Sequence, residues 1–296
     1  MRKSFCSLIS FLLFSLLACG AASAHWYVAP TGNDANNGSK RKPLKTIAAA
    51  LQRVNPGDTV FLREGSYGEF VVPTRSGKPG KMITLKSYPG EIAKIDGSDL
   101  YIKGWGNALV QVNNIDYMQF ENLHICHAHD SENNTDPEGI YITGTSGNIT
   151  FRGCKVYDIK NDCPLVDAKG DWRSAHAILV LGTDDNTPIR NLLIEKCEIF
   201  EIHSGTSEAF TLAGNVVDFT IQDNEVHDVE NIGIIIAGGD NLNPKGDISV
   251  NYARNGVVRR NKVYRCTHEN RRTIGASPYP MAARSVYTCA ATETRL

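Results

Sequence analysis

The segment Phe120-Glu121-Asn122-Leu123-His124-Ile125 decides the fold, because it is the first of five copies of one short pattern. Each copy begins with an apolar residue, has an inner slot three positions later, and has a second apolar residue two positions after that. The starts of successive copies are 31, 43, 27 and 37 residues apart. The remaining copies begin at Phe151, Ile194, Ile221 and Val258. A constant core pattern with connections of variable length predicts a solenoid, in which each unit stacks on the next.

A second set of short apolar segments alternates with these copies. The segments begin at Gly139, Ala177, Ala209 and Gly233, and a glycine follows soon after each. Apolar and polar residues alternate along the coils, and a side-chain period of two gives each strand an inside and an outside face. The coils have about 22 residues plus insertions and lack amphipathic helices between strands. This favours a parallel β-helix over leucine-rich or βα repeats.

The inner slot of the pattern changes from leucine through cysteine to asparagine along the chain. Cys154 and Cys197 occupy it on successive coils, where stacked side chains point the same way and have poor disulfide geometry. We therefore predict a buried ladder of free thiols. Asn224 and Asn261 occupy the next two slots, and we predict a structural ladder of amides that hydrogen-bond one another and the turn backbone.

Residues 1–24 have the pattern of an export signal peptide. Arg2 and Lys3 precede an apolar stretch, and Ala22-Ser23-Ala24 is a small-x-small cleavage site. This predicts a secreted protein, periplasmic or extracellular. The alternative is lipobox cleavage before Cys19, whose acylation would make an outer-membrane lipoprotein. Contact with a membrane is expected only in that case.

The rest of the chain divides into three parts. Residues 25–97 are expected to form the N-terminal start of the β-helix with a capping helix, because apolar residues from Ile47 to Val54 share one helix face. Residues 98–283 contain the coils. Residues 284–296 carry no coil pattern, and we expect an irregular tail produced by truncation or a shifted reading frame. A β-helix that ended there would expose an apolar end.

The net charge argues against one class of partner. The chain has 31 Lys and Arg against 32 Asp and Glu, a formal charge of −1. Removal of Arg2 and Lys3 with the leader changes this to 29 − 32 = −3. Nucleic-acid binding through bulk charge is therefore not expected. We also expect a monomer.

Several motifs carry a resemblance to a known family. The N-terminal part contains Tyr27-Val28-Ala29-Pro30, Pro43-x-Lys45-Thr46-Ile47 and Pro56-Gly57-Asp58-Thr59-Val60, and later come Ser207-Glu208 and His227-Asp228-x-x-Asn231. Together they resemble secreted right-handed parallel β-helix proteins of the pectate-lyase superfamily. The resemblance implies an all-β, single-stranded right-handed parallel β-helix that acts on polysaccharide. The Asp-Asp-Gly calcium cluster of pectate lyases in that superfamily is not visible, so the resemblance does not imply pectate in particular.

Stacking at about 4.8 Å per coil turns equivalent outward residues into columns along which a sugar chain could lie. One column places carboxylates in a row that call for a cation such as calcium, or a basic partner; the alternative is a solvated turn. These carboxylates are Asp158, Glu201 and Asp228, followed by Arg265. A neighbouring column offers aromatic rings for substrate binding, with ordinary side-chain stacking as the alternative. It consists of Tyr157, Phe200, His227 and Tyr264.

The polar insertion from Lys160 to Ser174 is a candidate binding loop, because loops on a rigid scaffold often carry binding groups. In a lyase of the kind the resemblance implies, a Lys or Arg removes the proton α to the uronate carboxylate while a cation neutralises that carboxylate. Lys169 and Arg173 are the candidates for this base, with Trp172 as a substrate contact and His176 close behind. The alternative is an ordinary solvated loop.

Two further groups of acidic residues suggest other chemistry. Glu208 lies one coil after His176 and, paired with Glu201, Asp228 or Asp240, could form a two-carboxylate glycosidase site. A second loop could bind metal, although its irregular spacing favours a polar lid. That loop carries His127, His129, Asp130, Glu132, Asp136 and Glu138.

These features favour a secreted carbohydrate-active protein that cleaves acidic, uronate-containing polysaccharide by β-elimination, with calcium as a candidate cofactor. The enzymatic alternatives are glycoside hydrolysis or uronate epimerisation in the same groove. A non-catalytic carbohydrate-binding surface protein is the alternative from another class.

Overall fold

The computed structural model describes residues 23–102, 106–132, 134–163, 173–238, 242–267 and 294–295. Within them the chain forms short strands and one single-turn helix, α1 (Ile47–Leu51). The first strands are β1 (His25–Val28), β2 (Thr59–Leu62), β3 (Gly65–Tyr67), β4 (Ile83–Ser87), β5 (Ala93–Asp96), β6 (Val110–Asn113) and β7 (Asp116–Glu121). Next come β8 (His124–Asp130), β9 (Glu138–Thr143), β10 (Gly147–Arg152), β11 (Lys155–Asn161), β12 (His176–Gly182), β13 (Ile189–Glu195) and β14 (Glu198–His203). The last are β15 (Glu208–Gly214), β16 (Val216–Val217), β17 (Thr220–Gln222), β18 (Glu225–Glu230), β19 (Ile232–Ile236), β20 (Val257–Arg259), β21 (Lys262–Thr267) and β22 (Thr294–Arg295).

The strands assemble into three sheets that the chain visits in turn. The first sheet has the order β1-β2-β4-β7-β10-β13-β17-β20-β22, with β16 also paired to β13. The second is β3-β5-β8-β11-β14-β18-β21, and the third is β6-β9-β12-β15-β19. Among the described strands, every strand-to-strand pairing is parallel except that of β20 with β22. Neighbours within each sheet come from successive coils, which is the arrangement of the predicted parallel β-helix.

The repeated pattern is in register across the first and second sheets. Phe151 lies opposite Phe120 on one side and Ile194 on the other, and the series continues to Ile221 and Val258. The rings of Phe120 and Phe151 stack 4.4 Å apart with planes 4° from parallel. Both rings are fully buried. The solenoid prediction from this pattern is therefore confirmed, and the pattern forms the core.

The inner slot forms the two ladders predicted from the sequence. Cys154 and Cys197 are free and buried. Asn224 Nδ2 donates to Asn261 Oδ1 at 2.9 Å and to the carbonyl of Ile194 at 3.0 Å. Asn224 Oδ1 in turn accepts from the backbone N–H of Cys197 at 2.9 Å. Each amide thus satisfies backbone groups at the bend, as buried polar groups require.

The bends between strands place non-glycine residues in the left-handed region, and this explains two polar columns. Asn148, Asn191, Asp218 and Asn255 have φ between 52° and 56°. The column of carboxylates adopts the same geometry, with φ of 53° at Asp158, 55° at Glu201 and 52° at Asp228. Asn and Asp tolerate this conformation better than most residues. The backbone bend is therefore one reason for the polar residues of both columns.

Helix α1 is shorter than the predicted helix, but its apolar face is as expected. Ile47, Ala50 and Leu51 are buried, and so is Val54 beyond the helix. The Glu69 carboxylate accepts from the backbone N–H groups of Ile47 and Ala48 at 2.7 and 3.0 Å, which satisfies the helix start. That α1 closes the end of the coil stack stays a prediction.

Residues 1–22 of the predicted signal peptide, with the lipobox at Cys19, and most of the predicted tail lie outside the described residues. Among the residues that are described, no helix has the length and apolar character to cross a bilayer.

Candidate active site

The third sheet brings three ionisable residues into one column. His176 lies opposite Glu138 in the register of β12 and β9. Ile178 lies opposite Phe210, so the same register aligns His176 with Glu208 at the start of β15. Each of these residues directly precedes one of the apolar segments of the second set. The stacking of coils therefore builds the column.

His176 is held from both sides by polar groups. Its Nδ1 lies 2.8 Å from Asp136 Oδ1, and its Nε2 lies 2.8 Å from Ser207 Oγ. His176 is 4% exposed and Asp136 is fully buried, whereas Ser207 is half-buried. A buried carboxylate on Nδ1 fixes the ring orientation and leaves Nε2 as the reactive nitrogen. His176 and Ser207 both line a pocket that opens to the surface.

Glu208 completes the chain of contacts. Its Oε2 accepts from Ser207 Oγ at 3.2 Å and from Thr211 Oγ1 at 3.1 Å. The same oxygen lies 4.0 Å from His176 Nε2. One hydroxyl therefore connects the imidazole to a second carboxylate.

Burial and neighbouring charges shift two groups in this cluster. Burial lowers the pKa of His176, but the Asp136, Glu208 and Glu138 carboxylates outweigh it, and the pKa lies above its ordinary value. Burial raises the pKa of Glu138 to about 8, and the charge of Asp136 adds to the shift. At neutral pH Glu138 is therefore mainly protonated. Asp136 Oδ2 and Glu138 Oε2 are buried and have no hydrogen-bond partner among the described residues.

The pocket beside Ser207 is mostly apolar and has a volume of about 250 Å³. Leu179, Leu181 and Ala213 point outward from the third sheet and form an apolar cluster separate from the main core. Leu242 packs against this cluster and also lines the pocket. A concave apolar site with a few convergent polar groups is the usual form of a ligand site.

The Asp136–His176–Ser207 connectivity is that of a nucleophilic triad, but one neighbour argues against acyl transfer. Such a reaction needs hydrogen-bond donors where the oxyanion develops. The Glu208 carboxylate lies 3.2 Å from Ser207 Oγ, and its negative charge would oppose a nearby oxyanion. The arrangement is better suited to proton transfer through His176.

The sequence predicted part of this site. His176 and Glu208 were candidates, and the structure brings them together. The sequence marks Ser207 only as part of the Ser207-Glu208 motif. For the loop that carries Asp136 and Glu138, the sequence favours a polar lid, with metal binding as the alternative; both side chains are fully buried, so the lid is wrong for these two residues. The sequence could have indicated Glu138, because this residue directly precedes its apolar segment, as His176 and Glu208 precede theirs.

The predicted lyase bases are only partly described. Lys169 and Trp172 lie outside the described residues, as does Asp240. Arg173 Nη2 donates to Glu230 Oε1 at 2.8 Å, and its side chain is 17% exposed. A guanidinium held in an ion pair is poorly placed to take a proton from a substrate. The catalytic role of Arg173 and Lys169 stays a prediction.

The column of carboxylates lies on the second sheet, and two of its members have basic partners. Asp158 Oδ2 lies 3.1 Å from His129 Nε2, and Asp158 Oδ1 lies 3.4 Å from Lys160 Nζ. Asp228 is paired with Arg265 and His227. The hydrogen bond from Arg265, followed by that from His227, lowers the pKa of Asp228. Basic partners thus offset part of the repulsion, and a calcium site formed by Asp158, Glu201 and Asp228 stays a prediction.

The aromatic column is stacked along its length. The ring centroids of Tyr157 and Phe200 are 4.9 Å apart, those of Phe200 and His227 are 5.4 Å apart, and those of His227 and Tyr264 are 5.1 Å apart. The planes of each pair lie within 12° of parallel. The inner ring faces are therefore covered by neighbouring rings, which leaves their edges for a ligand. Substrate binding by this column stays a prediction.

Several known proteins are similar to this chain. The family described as "Pel9A-like, right handed beta helix region" matches residues 26–191. The uncharacterized protein YwoF of Bacillus subtilis strain 168 is 34% identical over 231 residues, which are 78% of this chain and 46% of YwoF. The pectate lyase PEL9 of Emericella nidulans is 26% identical over 147 residues, which are 46% of this chain and 34% of that enzyme. This chain therefore spans less than half the length of these relatives.

Among solved structures, the GH136 lacto-N-biosidase from Eubacterium ramulus is similar, with a TM-score of 0.59 and 14% identity. The match covers 83% of this chain and 52% of that one. At this level of identity the likeness shows the fold alone.

Proposed function

This chain belongs to the Pel9A-like right-handed β-helix family, as its motifs predicted, and we propose that it cleaves a uronate-containing polysaccharide by β-elimination. The reaction takes place in the pocket beside His176 and Ser207. The proposal also includes export from the cytoplasm, a monomeric state and a carbohydrate polymer as the partner. The pectate lyases among the relatives, which include PEL9 and pectate lyase L of Dickeya dadantii, support a polysaccharide substrate.

The observation that carries the proposal is the imidazole of His176, which is hydrogen-bonded to Asp136 and lines the pocket. In the neutral imidazole, the hydrogen bond to Asp136 holds the proton on Nδ1 and leaves Nε2 as the base. Nε2 takes the proton from the carbon α to the uronate carboxylate. The electron pair forms a carbon–carbon double bond, and the glycosidic oxygen on the β carbon leaves as an alcohol after it is protonated. His176 is thus assigned the role that the sequence gave to Lys169 or Arg173.

The charge of the pocket makes a cation part of the proposal. An ionised Glu208 would repel the carboxylate of an approaching uronate. Calcium binds carboxylate oxygens and could bridge the two. We therefore expect activity to depend on a divalent cation, with Glu208 as the protein ligand nearest to His176.

One observation favours glycoside hydrolysis as the second candidate. The raised pKa of His176 favours its protonated form, and an imidazolium 4.0 Å from the Glu208 carboxylate forms an acid paired with a potential base or nucleophile. In this mechanism His176 protonates the glycosidic oxygen and Glu208 acts on the anomeric carbon or on a water.

The test is an ultraviolet-absorbance screen of the purified full chain on pectate, alginate and glycosaminoglycans, with calcium and with chelator. Elimination creates an unsaturated uronate that absorbs in the ultraviolet, whereas hydrolysis creates reducing ends without this absorbance. His176→Gln should lower the rate by about 10²- to 10⁴-fold, the usual contribution of a general acid or base. His203→Gln, on the exposed end of β14, is the matched control.

Three results would contradict the proposal of elimination. Reducing ends without ultraviolet absorbance would establish hydrolysis. Binding of a polysaccharide without cleavage would indicate a non-catalytic surface protein. Elimination that survives in His176→Gln would assign the base to another residue, with Lys169 as the next variant to make.

A further inference from the structure

A cluster of three different ligand types lies on the second sheet. Asp96 ends β5 and lies opposite Cys126 in the neighbouring strand β8, and His127 follows Cys126. A carboxylate oxygen of Asp96, the Cys126 sulfur and an imidazole nitrogen of His127 all lie within 4.8 Å of one another. We propose that these three side chains bind a zinc ion.

The combination of ligands favours zinc over calcium. Calcium prefers oxygen ligands alone, while thiolate and imidazole together suit zinc or a similar transition metal. Zinc bonds of about 2.0 Å to nitrogen or oxygen and about 2.3 Å to sulfur place tetrahedral ligands about 3.3–3.6 Å apart. His127 Nδ1 and Asp96 Oδ1 are 2.8 Å apart without a metal. They therefore need to separate by roughly half an ångström, which side-chain rotation can supply.

The surroundings of His127 support the assignment. A histidine that binds metal usually donates its other ring N–H to a carboxylate, which orients the ring. His127 Nε2 lies 3.8 Å from Asp158 Oδ2, while Nδ1 faces Asp96. Ser98 donates to Asp96 Oδ1 through both its backbone N–H and its hydroxyl, at 3.1 and 2.6 Å. Ser98 thus orients Asp96, and the Asp158 carboxylate lies near the second ring nitrogen of His127.

Access and proton balance are also consistent with binding. The side chains of His127 and Asp96 are 29% and 18% exposed, so water can fill the fourth coordination position. Cys126 is fully buried. Zinc binding replaces the thiol proton, which is released to solvent as the Zn–S bond forms.

Cobalt(II) titration of the purified full chain provides the decisive test, because cobalt bound to a thiolate gives a sulfur-to-metal charge-transfer band in the near ultraviolet. We expect this band at one equivalent of cobalt, and we expect added zinc to remove it. Cys126→Ser should abolish the band, whereas Cys163→Ser, which changes another buried cysteine, should retain it. The absence of a band in the wild-type chain, or its persistence in Cys126→Ser, would overturn the proposal.

A second variant guards against a loss of folding at position 126. His127 has a φ of 62°, a left-handed conformation that asparagine also adopts readily. His127→Asn therefore keeps the backbone while removing the imidazole, and we expect zinc binding measured by calorimetry to weaken by at least about 100-fold. Unchanged affinity in this variant, with wild-type circular dichroism, would exclude His127 as a ligand.

Discussion

Glu138→Gln should make the stability of the protein much less sensitive to alkaline pH. Glu138 is fully buried, and burial raises the pKa of its carboxyl from 4.5 to about 8. Because the folded pKa is higher than the unfolded pKa, the folded state binds more protons between these values. The free energy of unfolding therefore falls as the pH rises through this range. Glutamine has nearly the same shape and cannot ionise, so the variant should lack this loss.

The magnitude follows from the shift. The difference of about 3.5 pKa units corresponds to about 5 kcal/mol as an upper limit, at about 1.4 kcal/mol per unit. His176 belongs to the same cluster and its pKa is also raised, so the two groups share the effect. We expect the stability advantage of Glu138→Gln over wild type to grow by about 2–5 kcal/mol between pH 4.5 and pH 9.

Urea titrations followed by circular dichroism at a series of pH values measure this difference. Glu201→Gln is the control, because Glu201 is an exposed glutamate on β14, and its free energy of unfolding should follow that of wild type at every pH. A difference between Glu138→Gln and wild type that stays constant within about 0.5 kcal/mol would refute the reasoning. It would mean that Glu138 is solvated, or that its proton is no more tightly held than in the unfolded chain.

Three further predictions address the reaction and the fold. If His176 is the base, the elimination rate should increase as the pH rises above 6.5 through the raised pKa of this residue. If His176 is the acid in hydrolysis, the rate should decrease over the same range. A pH–rate profile separates the two mechanisms. Phe151→Ala should lower the free energy of unfolding by about 3–5 kcal/mol, because it removes a fully buried ring that stacks on Phe120. A loss below about 1 kcal/mol in urea denaturation would contradict this and would mean that the coil collapses around the cavity. Asn191 has a φ of 52°, so the free energy of unfolding of Asn191→Gly should exceed that of Asn191→Ala by about 1 kcal/mol in thermal or urea unfolding. Equal stability of the two variants would contradict the role of the bend.

The alignment of the carboxylate column could be predicted from the sequence, but its backbone conformation and its side-chain contacts could not. The pattern correctly aligned Asp158 with its counterparts on later coils. It did not reveal that each of these residues occupies a left-handed bend. It also did not reveal the contact of His129 with Asp158, because that pair depends on side-chain orientation across β8 and β11. The sequence places Arg265 at the end of the row, but the contacts of Asp158 with His129 and Lys160 exist only in the folded structure.

The sequence by itself determined the fold of this protein. The apolar residues alternate with a period of two, and the strands repeat at each coil, so stacking the coils buries the apolar face. Stacking then fixes the register of Phe120, Phe151 and the later copies. The ladders of cysteine and asparagine follow from the same repetition. Only the tertiary structure decided the candidate active site. Asp136 reaches His176 from a connection between β8 and β9, and the conformation of such a connection depends on its own packing and not on the repeat. The protonation of Glu138 was equally out of reach, because a pKa depends on burial and nearby charges that exist only in the folded chain.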